Sequence, residues 1–135
     1  MRARFATALS SASVASLSLF AAAHAHAHHS FSAEFDVGRP IEITGTVTHI
    51  EWTNPHAWVH LEIVDEQGQP AQWAVELLGL NALVRSGINP RTVKAGDVLT
   101  VSGFGARNGT NTANASSVTR TETGERLWTS SAEPE

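Results

Sequence analysis

Seven histidines stand in 135 residues, and four of them, His24, His26, His28 and His29, fall within six positions. Imidazole is a leading ligand for copper, zinc and nickel. These four follow a stretch that reads as removable on export, so trimming would set a histidine at or next to a new amino terminus. A terminal amine is a further nitrogen donor, and its proton can be displaced by a metal near neutral pH. Three small-residue exits, after Ala23, Ala25 or Ala27, each leave a histidine first. If the cut follows Ala27, His28 can chelate one ion through its amine and Nδ1. His29 or His56 then completes a three-nitrogen set resembling the histidine brace of copper enzymes and periplasmic copper carriers. If it follows Ala23 or Ala25, a histidine stands third from the start. The amine, two backbone nitrogens and one imidazole then make the square plane that suits Cu(II) or Ni(II). Copper is therefore the expected cofactor, with His28, His29 and His56 as the metal residues.

Other residue types are candidates with plainer alternatives. His56 follows Asn54-Pro55 at a strand start; it is either a third ligand or a turn residue bonded to backbone. His60 has the parity of His56 and Trp58, and His49 that of Val47 and Glu51. His49 and His60 read as surface or partly buried residues rather than ligands. Trp52, Trp58 and Trp73 offer rings on which a sugar or a base could stack, although such residues more often fill a small core. Trp52, Asn54 and Trp58 are the expected contact surface for a small ligand or protein. Glu51, Glu62 and Glu76 are scattered over strands with no forced pairing, so solvated faces are expected rather than paired carboxylates for glycoside chemistry. The glycines from Gly103 to Gly109 precede no helix, which disfavours a phosphate loop. No Ser-His-Asp set is indicated by spacing, and a binding protein is expected rather than an enzyme.

These residues must be positioned by a short chain. A basic start at Arg2 and Arg4, an apolar middle over 5–20 and the A-x-A exit make residues 1–27 a signal peptide, placing the mature protein in the periplasm or outside the cell. From Ile41 the pattern alternates with period two. Strands are expected at 41–52, 56–64 and 72–77, with Pro40 closing off the first start and Gly45 a bulge or bend. Asn81 and Gly87 suggest the N-cap and C′ stop of a helix over 81–87. Further strands are expected at 98–104, 113–119 and 127–128. This order gives an all-β fold with one short helix: an OB-fold-like five-stranded small barrel, the helix lying between strands 3 and 4. The expected division is a signal at 1–27, a histidine-containing segment at 28–40, the barrel at 41–128 and a disordered tail at 129–135.

Composition narrows the function classes. There is no cysteine, which removes disulfides, thiolate metal sites and cysteine nucleophiles. The net charge of −4 becomes more negative once Arg2 and Arg4 are removed. Nucleic acid and anionic lipid are therefore unexpected partners, and no apolar run is long enough for a spanning helix. The expected partner is a metal ion or a small ligand.

Three blocks occur together: His28-His29-Ser30-Phe31 through Asp36, then Gly45-Thr46-Val47 leading to Glu51-Trp52-Thr53-Asn54-Pro55-His56-Ala57-Trp58, then Ala113-Asn114-Ala115 with Val118-Thr119. In this combination the mature chain resembles a family of small secreted bacterial proteins of unknown function. The resemblance implies an exported single-domain protein and carries no catalytic residue. Members begin at the His-His pair, which favours cleavage after Ala27; the additional His24 and His26 depart from that pattern.

Overall fold

A computed structural model describes residues 31–130, so the expected signal segment over 1–27 and the expected ligands His28 and His29 lie outside the described residues. The elements run α1 (Phe31–Glu34), β1 (Phe35–Glu51), β2 (Trp58–Val64), β3 (Pro70–Glu76), α2 (Leu80–Ser86), β4 (Val98–Ala106), β5 (Thr112–Arg120) and β6 (Arg126–Thr129). The fold is mostly β, as the alternation predicts, with one short helix between β3 and β4. The sheet order is β3-β2-β1-β4-β5-β6, each of these neighbours antiparallel. A parallel contact between β3 and β5, with Val75 opposite Ala113 and Glu76 opposite Asn114, joins the two sides. None of the helices is long and apolar enough to cross a membrane among the described residues.

Several boundaries differ from the sequence expectation. β1 begins at Phe35 rather than Ile41, and Pro40 lies inside it, opposite Phe104. A proline is tolerated there because β2 pairs with β1 only from Thr46 onward, leaving one side of Pro40 without a ladder to satisfy. The bulge toward β2 falls between Val47 and His49, not at Gly45. Gly45 serves close approach instead: a Cβ there would meet the Glu62 carbonyl oxygen at 2.7 Å. The α2 cap also differs. Gly79 is the N-cap, and the Asn54 Oδ1 accepts the Leu80 N–H at 3.1 Å from 26 residues away. Gly87 stops the helix as expected, with φ of 94°, a value that costs glycine little.

The core follows the period-two pattern. Val47, Val59, Leu61, Val75, Leu99, Val101 and Val118 are buried from five strands, and α2 contributes the fully buried Leu83. Trp52 and Trp73 pack against this core, while Trp128 is itself buried. Trp58 is only half-buried. It shares an outward row with His60, because Val59 and Leu61 point inward. At the C-terminal end β6 runs through Thr129, and the Ser130 N–H donates to the Ser116 carbonyl at 2.7 Å.

Candidate metal centre

The bulge in β1 decides which side chains meet. Val47 faces the core, Thr48 and His49 are both exposed, and Ile50 turns inward again. One extra residue thus moves His49 to the face opposite Val47, correcting the simple parity that joined them. Beyond the bulge the register is regular: His49 lies opposite His60 and Glu51 opposite Trp58. Facing residues on adjacent antiparallel strands bring their side chains into contact. The two imidazoles stack with centroids 3.9 Å apart and planes 8° from parallel.

Glu51 completes the group. Its Oε1 accepts the His60 Nε2–H at 2.8 Å and lies 3.9 Å from His49 Nε2. One ligand atom from each of His49, Glu51 and His60 falls within 4.8 Å of the others. Thr48 steadies the turn in the ladder, its hydroxyl donating to the His60 carbonyl at 3.2 Å. Two imidazoles and a carboxylate converge on a solvent-facing patch, so an ion could enter without opening the core. The face expected from sequence to carry ordinary surface histidines therefore holds a three-donor set. The signal was present: a turn centred on Asn54-Pro55 makes residues 49 and 60 equidistant from its middle.

His56 is placed differently. It precedes β2, and its Nδ1 lies 3.0 Å from Glu76 Oε1, so its partner is a carboxylate rather than the backbone. With Nδ1 donating, Nε2 is the nitrogen left to act as an acceptor. Glu76 is buried, unlike the solvated role expected for it. Burial pushes its carboxyl above the ordinary value of 4.5; the His56 charge opposes this, the Glu34 charge adds to it, and a hydrogen bond from Asn114 opposes it. Asn114 Nδ2 donates to Glu76 Oε1 at 3.3 Å. Glu62, by contrast, is exposed and accepts from Gln72 Nε2.

The three residues expected to form a contact surface divide. Trp52 packs on the core, Asn54 holds the start of α2, and Trp58 lines a cleft of about 380 Å³ together with Glu34 and residues from the end of β4 to the start of β5. Phe31 of α1 stands against the Phe35 and Phe104 rings, at centroid distances of 5.5 and 5.8 Å. Arg107 ties that segment down, its backbone N–H donating to the Glu34 carbonyl and its Nε to the Ser32 carbonyl. These contacts build one wall of the cleft.

Residues 14–115 match DUF6152, a family of unknown function. The chain belongs to this family. The match spans the blocks that carried the resemblance in the sequence, apart from the final Val118-Thr119. It also takes in every residue of the His49–Glu51–His60 group, the His56–Glu76 pair and the Trp58 cleft of this DUF6152 chain. No curated protein matches the chain.

Proposed function

We propose that this protein is an exported metal-binding module whose ion is held by His49, Glu51 and His60. The observation that carries this reading is the cross-strand imidazole pair with a carboxylate between its Nε2 atoms. Two imidazoles and one carboxylate suit Zn(II) and Cu(II), and the general order of divalent affinities places Cu(II) first. Three protein donors leave a position for water or another ligand. The expected site residues His28 and His29 would add donors in the trimmed chain, with His56 as a further imidazole held in one tautomer by Glu76. The strand order and the β3–β5 contact support an OB-like barrel as the frame. The basic, apolar and A-x-A segments of residues 1–27 support export to the periplasm or beyond. The protein works in this reading as a binding module rather than an enzyme.

The test is isothermal titration of the trimmed protein with Cu(II), followed by electron paramagnetic resonance of the loaded sample. A saturable site with nitrogen coupling, lost in His49→Ala/His60→Ala, is expected. Binding that survives the double substitution and disappears in His28→Ala would move the site to the amino terminus and overturn the assignment.

A further inference from the structure

We propose that the cleft beside Trp58 is a binding site for a neutral sugar ring, separate from the metal centre. Its volume of about 380 Å³ lies within the range of small-molecule sites, about 300–1,000 Å³. One surface is aromatic, from the half-buried Trp58. The others carry Glu34, Arg107, Asn108, Thr110 and Thr112. A pyranose needs this combination: an apolar C–H face to lie on an indole, and hydroxyls at its edge that each donate and accept.

Charge and preorganisation narrow the ligand class. Glu34 and Arg107 put one negative and one positive group on the same cleft, so a simple anion or cation would meet repulsion from one of them. A neutral polyhydroxyl compound meets no such repulsion from either group, nor from the Asp36 carboxylate that lies 3.9 Å from Arg107 Nη1. The polar loop is already ordered. Asn108 Oδ1 accepts both the Thr110 backbone N–H at 3.1 Å and its hydroxyl at 2.7 Å. What Asn108 offers a ligand is therefore its Nδ2 donor. The Thr110 hydroxyl also lies 3.1 Å from that of Thr112. A donor set fixed before binding costs less entropy to engage.

The site shares β2 with the metal centre, since Trp58 and His60 lie two residues apart on one face. Yet none of the three metal donors lines the cleft, so the two can be separated by substitution.

The experiment is ¹⁵N-correlated NMR of the trimmed, metal-free protein titrated with glucose, galactose and N-acetylglucosamine, and with adenosine as a flat ligand of another class. The expected result is a saturable shift of the Trp58 indole N–H with at least one sugar. The affinity should fall about tenfold or more in Trp58→Ala, the scale of a lost stacking contact. It should also fall in Asn108→Ala, which leaves the aromatic wall intact and guards against a folding defect in the first variant. His49→Ala/His60→Ala should bind the sugar like the parent, so failure of the metal reading is distinguishable from failure of this one. Absence of a saturable shift with all three sugars overturns the proposal. So does a response unchanged in both cleft variants, or binding of adenosine alone.

Discussion

His49 and His60 stand directly opposite each other across β1 and β2, their rings stacked at 3.9 Å. Neither strand alone creates this pair. β2 supplies the outward row of Trp58 and His60, and the bulge at Thr48 turns His49 to meet it. Glu51, two residues beyond, faces the same way and reaches both rings. Replacing Glu51 by Gln keeps the shape and removes the charge. Its effect on Cu(II) affinity, read by calorimetry, should be a loss at least as large as the about 10–100-fold typical of an outer-shell partner. An unchanged affinity would show that the carboxylate is not a ligand.

Trp58 lies opposite Glu51 in the ladder, which makes it the tryptophan adjoining the proposed ion. Cu(II) should therefore quench tryptophan emission in the parent far more than in Trp58→Phe. Trp52, Trp73 and Trp128 pack in or on the core and should contribute little to the change. Equal quenching in the two proteins would place the ion elsewhere.

The Glu76 carboxyl is held above its ordinary 4.5, first by burial, with His56 and Asn114 opposing and Glu34 reinforcing. A raised acid binds more protons folded than unfolded, so stability falls as pH rises from about the unfolded value through the folded one. Denaturant unfolding at a series of pH values from 4 to 7, about the carboxyl range, should show this decline in the parent. Glu76→Gln should flatten it. A slope identical in both proteins would contradict the assignment.

His56 Nδ1 lies 3.0 Å from the Oε1 of that buried carboxyl. Among the described residues, His56→Ala leaves the Glu76 side chain the Asn114 hydrogen bond. A destabilisation of about 1–3 kcal/mol is expected at neutral pH, shrinking at acid pH where Glu76 is protonated. Urea midpoints at the two pH values measure it.

Gly45 has no room for a side chain, because a Cβ would press on the Glu62 carbonyl at 2.7 Å and on the Ile63 methyl. Gly45→Ala should cost about 1–3 kcal/mol, as overpacking does. The rigid neighbour is backbone, so repacking of a rotamer cannot relieve it. A thermal midpoint equal to the parent's would refute the close approach.

What the sequence determined by itself was everything that depends on neighbours along the chain. The alternation from Ile41 placed β2, β3 and the end of β1 within two residues, and Gly87 marked the end of α2, because period two and left-handed φ are local properties. The face that each residue takes is local only while a strand stays regular. The extra residue at Thr48 breaks that condition, so parity alone puts His49 on the side of Val47 and masks the outward face it shares with Glu51 and His60. Likewise Asn54 as the remote partner of Leu80, the surroundings of the buried Glu76 and the packing of Phe31 on Phe104 join residues 20 to 73 positions apart. Their meeting is set by how strands pair and cross. Only the tertiary structure decides that, because the energy of a contact between distant residues is absent from the pattern of either segment taken alone.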